Sequence, residues 1–221
     1  MWDTSLMLRA LPDLASGLLT TLAITLAAFV LATGLGLVLA ACSRSTVSAL
    51  RRGAAGFSIF ARSVPELIAI FWVYYCFPVL FDLRISGVVG GTLALGLIGA
   101  GYMSEIIRAG IAAVPDGQWQ AARALALPRF ILWRDIVLPQ ATRKMLPAIL
   151  NQFTDVLKNS TLLAGVGVAE IAYAAYLAGS ESYRYLEPLT GVALLFFIVI
   201  FPLSMIARRL SPRDSIVTNS L

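Results

Sequence analysis

The 221-residue sequence contains no histidine, only two cysteines and only two lysines. Without histidine or paired cysteines, it lacks the usual ligands for a metal site and the usual group for acid–base catalysis. Lys144 follows an arginine and Lys158 follows a leucine, so there is no Gly-Lys-Ser/Thr phosphate-binding loop. The sequence therefore argues against an enzyme, and against ATP hydrolysis by such a loop in particular.

Charged side chains are also scarce. They make up 13% of the chain, about half of the roughly 25% found in soluble proteins. Hydrophobic residues make up 59%. The net charge of +5 would suggest nucleic-acid binding in a soluble protein, but here the arginines flank apolar segments, as they do beside membrane spans. The composition indicates a multi-pass membrane protein with several spans and no second domain.

Five segments are predicted to cross the membrane, which takes about 20 mostly apolar residues for each helix. They cover residues 18–41, 54–81, 85–107, 143–169 and 189–208. Pro65 lies inside the second segment and should kink or restart the helix, because proline has no backbone N–H to donate. The freed carbonyl groups could bind a polar ligand, or the break could be a simple interfacial elbow.

The orientation follows from the basic residues near the span ends. Arg9, Arg84 and Arg184 fall on one side of the five-span arrangement. Thirteen fall on the other side: Arg44, Arg51, Arg52, Arg62, Arg108, Arg123, Arg129, Arg134, Arg143, Lys144, Arg208, Arg209 and Arg213. Because basic residues accumulate in cytoplasmic loops, we predict an outside N-terminus and a cytoplasmic C-terminus.

Residues 111–140 are predicted to form a cytoplasmic loop between the third and fourth spans. Eight charges occur between Arg108 and Lys144, and each would cost about 2.5–3.5 kcal/mol at the bilayer centre. Asp116 can cap a helix and Pro128 can stop it, and the alanine-rich residues 120–126 lie between them. We expect a short helix whose small side chains admit a partner's groove, with an idle surface helix as the alternative.

The fourth span carries polar side chains that cannot face lipid. Asn151, Asp155 and Lys158 lie at helical spacing, so they share one face directed at protein or water. An Asp155–Lys158 pair could stabilise the bundle, or these groups could line a transport path. Glu66 lies beside the Pro65 break at a similar depth, and we expect the two regions to face each other.

Several short sequence motifs between residues 105 and 158 occur together in a known protein family. They are the EIIRAGI run ending at Ile111, Val114-Pro115, Gly117-Gln118, Ala121-Ala122, Ala124-Leu125, Leu138-Pro139-Gln140-Ala141, Arg143, Leu146-Pro147, Asn151-Gln152 and Leu157-Lys158. Together they resemble the cytoplasmic loop and following span of bacterial ABC importer permeases of the polar amino-acid family, the histidine/glutamine/glutamate type. The resemblance continues through residues 62–65 and covers most of the chain.

The resemblance implies an all-α integral membrane protein with the five transmembrane helices of the type I ABC importer permease fold. It implies one permease domain over residues 1–221, in the bacterial inner membrane. The implied function is ATP-driven import of polar amino acids, or of a related solute such as ectoine, with this subunit forming half of the pathway.

The implied partners are a second permease subunit, identical or different, two cytoplasmic ATPase subunits and an extracytoplasmic solute-binding protein. No cofactor is expected in this chain, because ATP and Mg²⁺ would act in the ATPase subunits. The alternative is a small ion-coupled carrier or channel that uses Glu66, Asp155 and Lys158 as a relay. Five spans are too few for the internal inverted repeats common in carriers, which favours the permease.

Two groups of residues are expected to carry the function. The substrate path is assigned to Arg62, Glu66, Asn151, Asp155, Lys158, Asn159, Ser160 and Thr161. Coupling to the ATPase is assigned to Asp116, Gly117, Gln118, Gln120, Ala121, Ala122, Arg123, Leu125 and Ala126. A bulky residue in place of Ala122 is expected to uncouple ATP hydrolysis from transport.

Two positions of the short helix depart from the family pattern, which usually has glutamate at Gln120 and glycine at Ala126. An alanine at a positive φ costs about 1 kcal/mol, unless Pro128 makes the turn instead. These departures favour a different chain, with the fuller motif, as the partner permease.

Overall fold

The computed structural model describes residues 2–210, and nearly all of this range is helical. The helices are α1 (Thr4–Ser43), α2 (Ser48–Ser63), α3 (Glu66–Phe81), α4 (Gly87–Ala112), α5 (Asp116–Ala124), α6 (Arg129–Val166), α7 (Ile171–Ser182) and α8 (Leu186–Leu210). No β-strand occurs in this range. Arg213, one of the thirteen basic residues counted above, lies outside the described residues.

Three helices, α1, α4 and α8, are each long and apolar enough to cross a membrane. Two bent pairs of helices pass the same test. The chain bends by 106° between α2 and α3, and by 48° between α6 and α7. Counting each pair as one span gives up to five spans, the predicted number. The helices run past the predicted boundaries, since α1 begins at Thr4 rather than residue 18, and α6 begins at Arg129, inside the predicted loop.

The most extensive packing joins α1 to α4, and small residues make it possible. A Cβ added at Gly99 of α4 would come within 2.9 Å of the Ala32 Cβ of α1. A Cβ added at Gly36 of α1 would come within 2.7 Å of the Met103 Cβ of α4. Close backbone approach increases van der Waals contact between helices, which matters in lipid because the bilayer offers no hydrophobic drive for association.

Apolar clusters fill the bundle at three levels. The middle cluster includes Ile70, Leu95 and Leu163 and joins α3, α4 and α6. A second cluster lies at the end of the bundle next to α5, and a third lies at the end next to α7. We call these two ends the α5 end and the α7 end. The clusters hold α4 and α6 side by side, and the groove between these two helices contains the cavities described below.

At the α7 end, a fully buried carboxylate fixes the start of α7. Glu170 accepts hydrogen bonds from the backbone N–H groups of Ala172 at 2.9 Å and Tyr173 at 2.8 Å. The hydroxyl of Thr21 on α1 donates to Glu170 at 3.5 Å and accepts from the N–H of Ile171 at 3.2 Å. These bonds satisfy N–H groups at the α7 terminus that have no partner within the helix, and they tie the terminus to α1.

A second polar contact joins the start of α1 to the start of α8. The Asp3 N–H donates to the Glu187 carboxylate at 2.9 Å, and Arg184 forms ion pairs with both acids. Hydrogen bonds from the side chain of Ser5, and then from the N–H groups of Leu6 and Ser5, hold the pKa of the Asp3 carboxyl below its usual value. These contacts keep the first turns of α1 helical beyond its apolar segment.

The α1–α7 contact gives a stability prediction at Gly17. A Cβ at this position would lie 2.8 Å from the Ile171 Cα and 2.9 Å from its backbone nitrogen. Backbone atoms cannot rotate aside, so Gly17→Ala should push α7 away from α1 and cost about 1–3 kcal/mol, as overpacking usually does. Thermal unfolding of the purified variant in detergent would measure the loss.

Gly34 provides the matched control on the same helix, because nothing lies within 4 Å of a Cβ added there. Gly34→Ala should leave stability equal or raise it by up to about 1 kcal/mol, the difference in helix propensity. Equal melting temperatures for the two variants would contradict the packing argument.

Candidate functional site

The break between α2 and α3 supplies the first half of the candidate site. α2 ends at Ser63, α3 begins at Glu66, and Val64 and Pro65 between them have extended backbone. The predicted break at Pro65 is therefore present. Glu66 lies in the first turn of α3 and is half-buried.

The second half is the polar face of α6. The Lys158 ammonium lies 2.8 Å from the Asp155 carboxylate, and the two side chains are 56% and 54% exposed. Asn151 is exposed on the same face. Since charged groups at this depth cannot face lipid without a large cost, the face requires a water-filled cavity or another protein chain.

Glu66 from the first half and Asp155 from the second line one cavity of about 160 Å³ between α3, α4 and α6, whereas Asn151 and Lys158 do not line it. Glu66 and Asp155 contribute carboxylates, while Gln152 and Asn159 contribute amides. Tyr102 and apolar residues of α4 and α6 form the rest of the wall. Carboxylate and amide oxygens accept hydrogen bonds, so this cavity suits a ligand that presents an ammonium group.

Other residues assigned to the path lie elsewhere. The Arg62 Nε donates to the Ser58 carbonyl at 3.2 Å, and this arginine lines neighbouring cavities instead. Ser160 is fully buried, and its hydroxyl donates to the Leu157 carbonyl at 2.8 Å. The Thr161 hydroxyl donates to the Lys158 carbonyl at 2.7 Å. Both hydroxyls are thus engaged by the backbone of their own helix.

Two polar residues of the cavity wall, Gln152 and Tyr102, are not among the residues that the sequence assigned to the path. Gln152 was a detectable candidate, because it is a polar residue inside an apolar segment, as Asn151 is. Tyr102 gave no such signal, since a tyrosine near the end of a span is common at membrane interfaces. Its position in the wall depends on where α6 approaches α4.

A second cavity, of about 400 Å³, lies in the same groove towards the α5 end. Its polar wall residues are Arg62, Tyr102, Glu105 and Lys144. The Lys144 ammonium contacts the Ala113 carbonyl, which holds it at the end of α4. The two cavities follow one another along α4 and α6.

The α5 segment differs from the expectation at both of its ends. Pro115 occupies the cap position, and Asp116 lies in the first turn without a side-chain capping bond, so the predicted cap is wrong. Its charge still favours the helix N-terminus. Ala126 has φ of 46°, and the Leu127 N–H bonds to the Ala122 carbonyl at 3.0 Å. Ala126 itself therefore makes the left-handed turn, and Pro128 does not make it instead.

The exposed side of α5 comprises most of the residues assigned to coupling: Asp116, Gly117, Gln118, Gln120, Ala121, Arg123, Leu125 and Ala126. Leu125 is a large apolar side chain with 71% exposure. Ala122 is buried at 3% exposure, so it faces its own chain. A bulky residue at Ala122 would disturb the packing of α5 against its own chain. The substitution is therefore a poor test of docking to the ATPase.

Comparisons with known proteins give a consistent assignment. The family described as "Binding-protein-dependent transport system inner membrane component" matches residues 32–215. The putative glutamine transport system permease protein GlnP of Rickettsia conorii is 32% identical, over 88% of this chain and 89% of that protein. The arginine transport system permease protein ArtQ of Bacillus subtilis is 34% identical, over 93% of this chain and 94% of that protein.

Solved structures agree with the sequence relatives. A crystal structure of an amino acid ABC transporter with histidines has 31% identity and a TM-score of 0.88, over 95% of this chain and 97% of that chain. The inward-facing MetNI methionine ABC transporter has 19% identity and a TM-score of 0.68, over 96% of this chain and 100% of that chain, which shows the fold alone. The prediction of an all-α permease fold of the type I ABC importers is confirmed.

Proposed function

Because the chain belongs to the family of binding-protein-dependent transport system inner membrane components, we propose that it is the permease subunit of an ATP-driven importer for polar amino acids. The substrate class comes from the relatives, which are named for glutamine and arginine transport. An ectoine-like solute is the substrate alternative. Family membership removes the ion-coupled carrier alternative.

The observation that supports this proposal best is the cavity shared by Glu66 and Asp155. An amino acid carries an ammonium group that needs acceptors and a carboxylate that needs donors, and both must be paired when water is removed. The two carboxylates supply the acceptors. They also favour a neutral or cationic side chain over an acidic one.

The proposed assembly contains a second permease subunit, two ATPase subunits and an extracytoplasmic binding protein. The half-exposed polar face of α6 supports the second permease subunit, because that subunit could complete the path and shield the face from lipid. Residues 1–221 would form one permease domain without a catalytic site, and ATP and Mg²⁺ would act in the ATPase subunits. The departures at Gln120 and Ala126 favour a different chain as the second permease.

The direct test is to purify the whole complex, identify its chains and its bound ligand, and reconstitute it in vesicles. We expect ATP-dependent uptake of at least one labelled amino acid among glutamine, arginine, histidine and glutamate. Uptake of ectoine alone would favour the alternative substrate. No ATP-dependent uptake of any of these solutes would contradict the proposal.

The proposed orientation predicts which residues react with an impermeant thiol reagent outside intact cells. In a variant without Cys42 and Cys76, Tyr183→Cys should be labelled, because Tyr183 is 92% exposed at the α7 end. Gln118→Cys, on exposed α5, should be protected until the cells are opened. Labelling of Gln118→Cys in intact cells would reverse the orientation.

A further inference from the structure

The groove between α4 and α6 contains two chambers of opposite charge character. The cavity of about 160 Å³ contains Glu66 and Asp155, and we call it the acidic chamber. The cavity of about 400 Å³ contains Arg62 and Lys144 with one acid, Glu105, and we call it the basic chamber. The basic chamber lies towards the α5 end.

Tyr102 is the single residue of the described chain that lines both chambers. On α4, Ile98 and Gly99 precede it by one turn and line the acidic chamber, while Glu105 and Ile106 follow it by one turn and line the basic chamber. Tyr102 is half-buried. Tyr102 therefore lies at the boundary between the two chambers.

We propose that the ring of Tyr102 is the gate between the acidic and the basic chamber. The inference rests on the proposed function, because a gate presupposes a path along this groove. The ring supplies a wide, stiff barrier, and its hydroxyl can contact polar groups on either side.

The position of Tyr102 also links the gate to α5. α4 continues as one helix from Tyr102 to Ala112, and only residues 113–115 separate its end from α5. A displacement of α5 therefore reaches Tyr102 through a three-residue turn and one continuous helix. Along this path a zwitterion meets acceptors for its ammonium at Glu66 and Asp155 and cations for its carboxylate at Arg62 and Lys144.

The gate can be tested without a substrate. Asn159→Cys, in the variant without Cys42 and Cys76, places a reporter thiol in the acidic chamber. Sealed inside-out vesicles that contain the complete nucleotide-free transporter are treated with an impermeant maleimide, so that the reagent arrives from the α5 end. Tyr102→Ala should raise the labelling rate about tenfold, which corresponds to about 1.4 kcal/mol off the barrier.

Two variants make the comparison specific. Here the parent is the Asn159→Cys variant with Tyr102 intact. Tyr102→Phe keeps the aromatic ring and should be labelled at the same rate as this parent. Tyr176→Ala removes an exposed tyrosine that lines neither chamber and should also label at the parent rate. If Tyr102→Ala does not accumulate in the membrane, Tyr102→Val takes its place with the same expected increase.

An assembled Tyr102→Ala complex that labels at the parent rate would overturn the gate. So would a Tyr102→Phe complex that labels as fast as Tyr102→Ala, because the ring would then be no barrier. ATP-dependent uptake of labelled glutamine and arginine is measured separately, with the unmodified transporter. Loss of that uptake contradicts the proposed function, whereas an unchanged labelling rate contradicts only the gate.

Discussion

Glu66→Gln and Asp155→Asn should each lower amino-acid uptake by about 10- to 100-fold, because a hydrogen bond to a charged group contributes about 1.5–3 kcal/mol. Both carboxylates line the same cavity, and both substitutions keep the side-chain shape while removing the charge. Assembly with the ATPase partners should be normal. Initial uptake rates in reconstituted vesicles, together with the subunit content of the purified complex, would measure the two effects separately.

Asp135→Asn is the matched control, since Asp135 is an exposed acid paired with Arg134 at 3.6 Å, outside the cavity. Its uptake should equal that of the parent. The rival account is that the charged groups of the path pair only with one another and fix the bundle. In that case, Glu66→Gln and Asp155→Asn should fail to assemble. If both variants assemble normally and transport with unchanged rate and selectivity, the proposed substrate site is wrong.

Leu125→Asp should uncouple the transporter. Leu125 projects from the turn after α5 and is 71% exposed, although it is a large apolar side chain. If it fits an apolar groove of the ATPase subunit, a buried aspartate there should cost about 2 kcal/mol or more, the cost expected of an interface hot spot. We expect uptake to fall about 30-fold, and the ATPase should no longer respond to the loaded binding protein.

Ala126→Gly is the comparison on the same turn. It relieves the positive φ of Ala126, at a gain of about 1 kcal/mol, so uptake should stay equal or rise. Normal uptake and normal ATPase stimulation in Leu125→Asp would place the docking contact elsewhere.

The features that sequence reasoning could predict are those with a local chemical cause. Proline lacks a backbone donor, so the break at Pro65 could be located from one residue. The α6 face could be recognised because Asp155 and Lys158 interrupt an apolar segment at helical spacing. The number of spans follows from the lengths of apolar runs.

Other features depend on contacts between distant segments. The first turns of α1 contain Arg9 and Asp13, so their sequence does not look like part of a membrane span. These turns are helical and contact α7 and α8. In α5, alanines lie on several sides of the helix, so no pattern could identify Ala122 as the buried one. Tyr102 lines the cavity because α6 packs beside α4 at that point. No local sequence pattern predicts this packing.

The unbroken length of α1 has a mechanical consequence. Its 40 residues span about 60 Å at about 1.5 Å per residue, twice the roughly 30 Å of hydrocarbon in a bilayer. α1 is therefore longer than the membrane core is thick. It continues as one helix through Pro12, with contacts to α7 and α8 near its start and to α4 in its second half. If α1 tilts by about 10° about one end, its other end moves by about 10 Å. A small tilt of α1 at the α5 end would therefore displace its start, at the α7 end, by a large distance.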